Sequence, residues 1–283
     1  MRRAQSCRGI SEVGQNESFL NQQKKQRAIP TAHEAGIWNV AGEMLTRPFP
    51  LRPRVVVPAV TLMLLVPGYL VISAVTRGRT VYAPELALDR SVPLQPCWAL
   101  IYLSYFLCPF LPMLVLRQEE QIRRTFLAWL LVWITGYVCF LVYPTVASRP
   151  ADGDIGEGFF AWFLRGVYDA DPPRNCFPSL HVATPVVAAL TCYRVHRGVG
   201  FAAAFWAALI AVSTLFTKQH YVADVLAGLL LAGVAYFVFL RRCPPEAVPE
   251  SDRRAAPLLL AGLLAVYGLI VTGIWIFYLV REA

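Results

Sequence analysis

Seven apolar segments, separated by polar stretches, follow one another between residues 55 and 280. A helix crosses the hydrocarbon core of a bilayer in about 20 residues, and most of these segments approach that length. A helix also satisfies its own backbone hydrogen bonds, which lipid cannot do for it. The pattern therefore predicts an all-α fold, a polytopic membrane helical bundle, with segments at about 55–76, 94–116, 125–144, 178–193, 199–217, 221–240 and 256–280.

The composition supports this interpretation, because 57% of the residues are hydrophobic and 16% are charged, against about 25% charged residues in soluble domains. The net charge of +8 could suggest nucleic acid as a partner. The basic residues, however, lie in the N-terminal stretch and between apolar segments, where positive charge sets the orientation of membrane proteins. We therefore expect a lipid bilayer and no nucleic acid as partner, and the sequence leaves the oligomeric state open.

The order of the segments divides the chain into three regions. Residues 1–53 are polar and basic and indicate a mostly disordered cytoplasmic tail, with translation from Met44 as an alternative. Residues 54–242 form a membrane-embedded core of six helices. Residues 243–283 add a loop and a seventh transmembrane helix.

The charges between the segments predict an orientation. If the segments alternate in direction, the basic loops fall on the same side as the N-terminal tail, which the positive-inside rule places in the cytoplasm. The acidic loop 145–177 then faces the periplasm or a secretory lumen. Within it, the aromatic stretch 159–164 predicts a helix at the membrane interface. In the second segment, Pro109 and Pro112 predict a kink.

Two of the four histidines, His181 and His220, lie where apolar segments begin. Ionisable groups are costly in such segments, so their placement indicates a function. The two histidines are 39 residues apart, with the polar turn 194–198 between them. This length allows an out-and-back hairpin that returns His220 to the face from which His181 starts.

Asp224 follows His220 by four residues. On a helix the two side chains would share one side, so that the carboxylate could bond to the imidazole. A buried carboxylate fixes the tautomer of a histidine and leaves the other ring nitrogen basic. The spacing therefore predicts a nucleophile or a general base.

Arg149 closes the third segment, and the loop after it, 151–177, carries too many charges to cross the membrane. Arg149 and His181 must therefore lie on the same side of the membrane. A guanidinium matches the oxygens of a phosphate group, and Lys218 could add a second positive charge.

The start of the fourth segment also suits an anion. Pro178 is expected in the first helical turn, whose free backbone N–H groups would face a phosphate, with the hydroxyl of Ser179 as a further donor. Ser213 precedes His220 at the opening of the sixth segment and is a further candidate for binding the phosphate. These groups could stabilise phosphoryl transfer without a metal. The seven cysteines form no CxxC pair, so neither a zinc site nor a disulfide framework is indicated.

These residues resemble the type 2 phosphatidic acid phosphatase superfamily, which includes lipid phosphate phosphatases and vanadium haloperoxidases. The family pattern is K-x6-R-P, then P-S-G-H, then S-R-x5-H-x3-D. The chain departs from it at three positions, with Val142 in place of the lysine, Leu180 in place of the glycine and Thr214 in place of the arginine. The resemblance implies a nucleophile in His220, its orienting partner in Asp224, a general acid in His181, and phosphate ligands in Arg149 and Ser179.

The stretches F-P-S-L-H-V-A and S-T-L-F-T-K-Q-H-Y-V-A-D-V-L-A-G look like the branch related to inositol phosphorylceramide synthases. Enzymes of that branch use a His, His, Asp triad to move a phosphoryl headgroup from one lipid to another alcohol. The resemblance covers about residues 95–242. It implies a phospholipid or sphingolipid substrate, a phosphohistidine intermediate and no cofactor.

Two alternatives stay open at this point. If the protein is an enzyme, either water or a second alcohol could attack the phosphohistidine, so the sequence does not distinguish a hydrolase from a transferase. The other reading is a non-enzymatic transporter or channel in which the two histidines and Asp224 relay protons. A relay should place ionisable groups at several depths of the membrane, whereas here they cluster at one face.

Overall fold

The computed structural model describes residues 51–242 and 250–282. Most of the predicted tail and the loop at 243–249 lie outside the described residues. The helices are α1 (Leu51–Val75), α2 (Ala87–Ser91), α3 (Trp98–Leu103), α4 (Phe110–Val115), α5 (Glu119–Val142), α6 (Phe159–Ala170), α7 (Leu180–Val195), α8 (Arg197–Phe216), α9 (Val222–Ala235) and α10 (Glu250–Glu282).

The predicted all-α membrane architecture is confirmed. Among the described residues, four helical stretches are long and apolar enough to cross a membrane, and three further apolar stretches are shorter. Together they correspond to the seven predicted segments. The long stretches are Glu120–Val142, Arg197–Phe216, Val222–Leu240 and Arg253–Glu282, and the short ones are Met63–Val75, Trp98–Leu107 and Leu180–Val195.

The predicted kink in the second segment is confirmed, because the helix there is divided into two α-helices with a 3-10 turn between them. After α3 the chain tightens into a 3-10 turn at Ser104–Leu107, and α4 begins after Pro109. Proline lacks the N–H that continues a helical ladder, so a helix rarely passes through two prolines unbroken. The break exposes the side chains of α3 to the space beside α7, where His181 lies.

The core lies where α5 packs against α7. The indole of Trp129 donates to the carbonyl of Thr184 at 3.2 Å, and the indole of Trp133 donates to the Thr184 hydroxyl at 3.3 Å. Both tryptophans and Phe140 are buried. Inside a bilayer, close packing and hydrogen bonds of this kind hold helices together, because lipid tails are as apolar as the helix surfaces.

The α7–α8 hairpin is tight. A Cβ atom on Gly200 would lie 2.2 Å from the Cα of Tyr193, so only glycine fits at this crossing. The ring of His196 accepts a hydrogen bond from the N–H of Val199 and caps α8. His196 is therefore a structural residue, as expected for a histidine at a helix start. The hairpin returns the chain to the level of His181 within 25 residues of Val195.

The aromatic stretch 159–164 begins helix α6, as predicted. Its rings contact the last turns of α10, with ring centroids 5.5 Å apart for Phe159 and Tyr278 and 5.2 Å apart for Trp162 and Tyr278. The other face of α6 buries Phe163 and Leu164 in a small cluster with α3. The helix thereby closes the same end of the bundle at which the two histidines lie.

Candidate active site

The structure brings the two histidines together at the starts of α7 and α9. His181 Nδ1 lies 3.2 Å from His220 Nε2, and the ring centroids are 5.4 Å apart. His220 is 93% buried and His181 is half-buried. The segment between them, which separates the two histidines by 39 positions, therefore forms the expected out-and-back hairpin.

Asp224 lies behind His220, but not for the reason expected from the sequence. Helix α9 begins only at Val222, so His220 precedes the helix instead of sharing a helical face with Asp224. The carboxylate folds back to cap the helix, where Oδ2 accepts the N–H of Tyr221 at 2.8 Å. The same oxygen lies 3.4 Å from His220 Nδ1, so the acid still faces the imidazole.

The loop between α8 and α9 fixes the position of His220. The backbone N–H groups of Gln219 and His220 both donate to the carbonyl of Thr214. Lys218 has a left-handed backbone with φ 53°, which allows the sharp exit from α8. Its ammonium donates to two backbone carbonyls, those of Asp89 at 3.2 Å and Val92 at 2.5 Å. Lys218 thus ties this loop to the segment before α3.

Arg149 lies on the same side of the molecule as His220. Its guanidinium donates to the carbonyl of Tyr168 at 3.0 Å, the carbonyl of Asp171 at 2.5 Å and the side-chain oxygen of Gln219 at 2.6 Å. It also lies 4.2 Å from the centroid of the Tyr168 ring. Burial raises the pKa of Tyr168 to about 12, which keeps this phenol neutral. All of these partners are uncharged oxygens or a ring, so the guanidinium retains its charge for an anion.

The two serines differ in their environments. The Ser179 hydroxyl is fully buried and has no hydrogen-bond partner in the described part of the chain. Its backbone N–H donates to the carbonyl of Asp224 at 3.0 Å, which joins the starts of α7 and α9. The Ser213 hydroxyl donates to the carbonyl of Ile210 within its own helix.

Helix α7 begins at Leu180, two residues later than the sequence suggests. Ser179 is the N-cap residue, and Pro178 precedes it after a cis peptide bond with Phe177, outside the first helical turn. The N–H groups of Val182 and Ala183 donate to the carbonyl of Ser179. Pro178 therefore lies before the helical turn in which it was expected, and an anion site on the first N–H groups of α7 stays a prediction.

The structure also shows the surroundings of the three residues that depart from the family pattern. Val142 is 73% exposed at the end of α5. Thr214 is buried and supports His220 through its carbonyl. Leu180 packs onto Gly136, where a Cβ atom would lie 2.7 Å from its side chain. Two of the three replacements thus contribute to packing or support at the site without adding charge.

Buried polar atoms without a hydrogen-bond partner in the described residues concentrate around the histidine pair. An unpaired buried polar group costs about 1–3 kcal/mol, so such a cluster indicates a binding site for a polar ligand. The atoms are Arg149 Nε, Arg174 Nη1, Asn175 Nδ2 and Oδ1, Ser179 Oγ, Gln219 Nε2, His220 Nδ1 and Asp224 Oδ1.

The sequence analysis did not identify Arg174, Asn175 or Gln219. The only signal for Gln219 was its place beside His220, and the other two lie in an irregular loop that carries no periodic pattern. It also missed Tyr102, whose hydroxyl lies 2.9 Å from His181 Nε2, and Asp171, which accepts a hydrogen bond from that hydroxyl. A tyrosine in an apolar segment is too common to mark a site.

Two cavities meet at His220. One, of about 230 Å³, extends between α1, α3, α5, α6 and α7 and is largely apolar, with both histidines in its wall. The polar residues of that wall include Asp171, Arg174 and Asn175. The other, of about 250 Å³, also reaches His220 and is the more polar of the two, because charged side chains such as Lys218 and Arg149 line it together with apolar residues.

Three residues have the composition and spacing of a metal site. Ligand atoms of Cys176, His220 and Asp224 lie within 4.8 Å of one another, and all three residues are buried. Such a set suits Zn²⁺, which requires a deprotonated thiol. Burial raises the pKa of the Cys176 thiol, with the Asp224 carboxylate acting in the same direction. A metal here would also take the place of the contact between His220 and Asp224.

Comparisons with known proteins agree on one family. The PAP2 superfamily matches residues 84–238, which is more than half of the chain. A PA-phosphatase related-family protein of Dictyostelium discoideum is 30% identical over 121 residues, covering 39% of this chain and 22% of that protein. The chain thus spans about a fifth of the length of this curated relative. No solved structure matches the chain with significance.

Proposed function

The chain belongs to the PAP2 superfamily, and on that premise we propose that it is an integral-membrane enzyme that cleaves or transfers a phosphate ester of a lipid. The observation that carries this proposal is the imidazole of His220, which has a carboxylate at Nδ1 and a second imidazole at Nε2. A histidine backed by an acid is an activated nucleophile when its other nitrogen can reach the substrate.

In the proposed reaction, His220 Nε2 attacks phosphorus and the bond to the lipid alcohol breaks. His181 donates a proton to the departing oxygen, and a phosphohistidine remains. In the second half, His181 accepts the proton of water or of another alcohol as that oxygen attacks phosphorus, and His220 is released. Because two nitrogens 3.2 Å apart leave no room for a phosphoryl group between them, substrate binding must separate the rings.

Several groups would stabilise the negative charge of the phosphoryl oxygens. Arg149 keeps an uncompensated charge, Arg174 has a buried nitrogen without a described partner, and the Ser179 hydroxyl is free to donate. Lys218 adds positive charge at the wall of the polar cavity. Ser213 acts indirectly, since its own hydroxyl bonds within α8. Fixed charges of this kind are the main contribution of a protein to phosphoryl transfer.

The apolar cavity supports a lipid substrate. It opens between helices that carry exposed apolar side chains, such as Leu70 and Phe106, and reaches both imidazoles. A phospholipid or sphingolipid could insert its acyl chain there from the bilayer, with its phosphate at the histidines. By the distribution of basic residues, the site faces the periplasm or a lumen, and the N-terminus is cytoplasmic.

The choice between hydrolysis and transfer depends on which hydroxyl is admitted. The positions of Val142 and Thr214 lack the two cations of the family pattern. A phosphate site with fewer positive charges suits a phosphodiester better than a phosphomonoester, because the diester carries less negative charge. This preference agrees with the resemblance to inositol phosphorylceramide synthases. A proton-relaying transporter is disfavoured, because His181, His220 and Asp224 all lie at one end of their helices.

The first test uses purified protein in lipid vesicles, supplied with phosphatidic acid, a diacylglycerol pyrophosphate, or phosphatidylinositol together with ceramide. We expect turnover of at least one substrate that resists EDTA and is inhibited by vanadate. His220→Ala should lower kcat by at least about 1,000-fold, because the nucleophile is lost. Normal turnover by this variant, strict metal dependence, or proton or solute transport without product would overturn the proposal.

The second test concerns Arg149. Arg149→Lys keeps the charge but loses the planar fork, and we expect kcat/KM to fall by about 100-fold. Arg165→Lys is the matched control, since Arg165 lies on α6 and bonds to Asp152 at the surface. Equal effects of the two substitutions would remove Arg149 from the phosphate site.

A further inference from the structure

A hydrogen-bonded chain continues beyond the histidine pair on the side away from Asp224. The Tyr102 hydroxyl lies 2.9 Å from His181 Nε2 and donates to Asp171 Oδ2 at 2.8 Å. The other carboxylate oxygen, Oδ1, accepts the hydroxyl of Tyr69 at 2.7 Å. Asp171 is separated from Tyr102 by 69 residues and from Tyr69 by 102 residues, so three distant parts of the chain meet here.

The chemistry of these groups fixes the direction of each bond. An ionised carboxylate can only accept hydrogen bonds, so both tyrosines must donate to Asp171. The Tyr102 hydroxyl has a single proton, and its oxygen is therefore left to accept from His181. Nε2 of His181 must then carry a proton. The other ring nitrogen, Nδ1, is the one that faces His220 and gains or loses the catalytic proton.

The contact between the two imidazoles agrees with this assignment. Nδ1 of His220 faces the Asp224 carboxylate at 3.4 Å, which favours a proton on that nitrogen, and Nε2 of His181 donates its proton in a hydrogen bond to the Tyr102 hydroxyl. The two facing nitrogens can then make a hydrogen bond only if they share one additional proton. With that proton on His181, the pair has a free nucleophile and a charged general acid at the same time. This is the protonation state that the first half of the proposed reaction requires.

The same aspartate also reaches the phosphate site. The backbone carbonyl of Asp171 accepts a hydrogen bond from Arg149, while its carboxylate holds the two tyrosines. A displacement of Asp171 would move the guanidinium and the general acid together. The groups that face His181 are His220, Tyr102, Tyr105 and, behind Tyr102, Asp171.

We propose that Tyr102 and Asp171 are positioning residues that hold His181 with its proton on Nε2, so that Nδ1 delivers the proton to the leaving lipid alcohol. This inference rests on the proposed function, since it explains what holds His181 in the form that acts as the general acid of that reaction. Neither residue touches the phosphorus. Each acts through His181, as the outer partners of ligand histidines do in metal sites.

The kinetic test compares two substrates that differ in their need for an acid. The alkyl alcohol of dioctanoyl phosphatidic acid must be protonated as it leaves, whereas 4-nitrophenolate leaves without a proton. Tyr102→Phe should lower kcat on dioctanoyl phosphatidic acid by about 10- to 100-fold. On 4-nitrophenyl phosphate the loss should be less than about threefold by the same reasoning.

Tyr105→Phe is the matched control. The Tyr105 ring also packs against His181, with centroids 4.5 Å apart, but the hydroxyl at His181 Nε2 is that of Tyr102. Any effect of this variant should fall on both substrates by the same factor. Asp171→Asn should resemble Tyr102→Phe in its preference for the nitrophenyl substrate. If Tyr102→Phe lowers both substrates equally, the inference is overturned.

A spectroscopic test does not depend on activity. In protein labelled with ¹⁵N-histidine, with the His181 signals identified by their loss in His181→Gln, only Nδ1 of His181 should change its shift as the pair titrates. In Tyr102→Phe the change should be divided between both nitrogens. Titration at Nε2 in the wild-type protein, or identical spectra for wild type and variant, would overturn the inference.

The two proposals fail in different ways. Wild-type protein without turnover, or with turnover that survives His220→Ala, contradicts the proposed function, and the nitrogen shifts still decide the protonation of His181. Turnover that requires His220, with the same substrate preference in Tyr102→Phe and Tyr105→Phe, contradicts only the role of Tyr102 and Asp171.

Discussion

Asn175 has two features that lower the stability of the folded protein, an unfavourable backbone conformation and an unpaired buried side chain. Its backbone has φ 59°, in the left-handed region that side chains other than asparagine, aspartate and glycine seldom adopt. Its carboxamide is buried, and neither Nδ2 nor Oδ1 has a hydrogen-bond partner in the described part of the chain. The residue lies in the wall of the apolar cavity with His181 and His220. A phosphoryl oxygen would satisfy the amide donor.

Asn175→Gly separates binding from stability. Glycine adopts a positive φ without strain and leaves no buried amide, so the melting temperature in detergent should be unchanged or higher. If the amide binds the substrate, kcat/KM should fall by about 10-fold, as expected for one lost hydrogen bond to a charged group. A lower melting temperature with unchanged kcat/KM would instead make Asn175 a structural residue.

At this scale, the sequence identifies residues whose chemistry is unusual for their surroundings. His181, His220 and Asp224 are ionisable groups at the borders of apolar segments, and that mismatch is visible without a structure. Tyr102 and Asn175 are not visible in this way, because tyrosines are common in membrane helices and asparagines are common in loops. Tyr102 matters through contacts with Asp171 and His181, which are 69 and 79 residues away and which no local pattern encodes.

At the level of elements, the site depends on the close approach of α9 to the start of α7. A Cβ atom on Gly228 would lie 2.6 Å from the carbonyl oxygen of Ser179. This contact lets the backbone N–H of Ser179 reach the carbonyl of Asp224. Gly228 and this hydrogen bond fix the start of α7 relative to the start of α9. They thereby fix the distance between His181 and Asp224, the acid behind His220.

Gly228→Ala should therefore disturb both the fold and the site. The backbone oxygen cannot move away as a flexible side chain could, so α9 must shift, at a cost of about 1–3 kcal/mol for overpacking. We expect a lower melting temperature in detergent and a lower kcat. Gly233→Ala on the same helix is the matched control, since its Cβ would meet nothing within 4 Å. Equal behaviour of the two variants would contradict the importance of this contact.

Hydropathy predicts the membrane helices well because each apolar segment has to satisfy its own backbone in lipid. It predicts their ends less well. His220 was expected on a helix with Asp224, but the carboxylate caps α9 and the helix begins after the histidine. Pro178 was expected inside α7 and lies before it. The first difference arises from a bond between the Asp224 side chain and the backbone of Tyr221, which hydropathy does not measure.

For the molecule as a whole, the proposed orientation places the histidines on the non-cytoplasmic side. Helix α8 runs from one end of the bundle to the other, beginning at Arg197 and ending at Phe216. Its 20 residues correspond to about 30 Å, the thickness of the hydrocarbon core. Cys97 lies at the Phe216 end, since the neighbouring Trp98 stacks on Phe216 with ring centroids 5.0 Å apart.

Cys97 is exposed and can report this orientation. In right-side-out vesicles, a variant with Cys97 as its sole cysteine should react with a membrane-impermeant maleimide without permeabilisation. Arg197→Cys in a background free of other cysteines should react only after permeabilisation, because Arg197 is exposed at the opposite end. The reverse labelling pattern would place the histidines at the cytoplasmic face.

His220 lies in the walls of both an apolar cavity and a more polar one. For the hydrolytic form of the reaction, this arrangement sorts the two products by solubility. The freed alcohol, on the His181 side, dissolves back into the bilayer, whereas inorganic phosphate drains into the aqueous compartment. In the proposed reaction, products that enter different phases would rarely meet again at the same imidazole, so their separation would slow the reverse reaction.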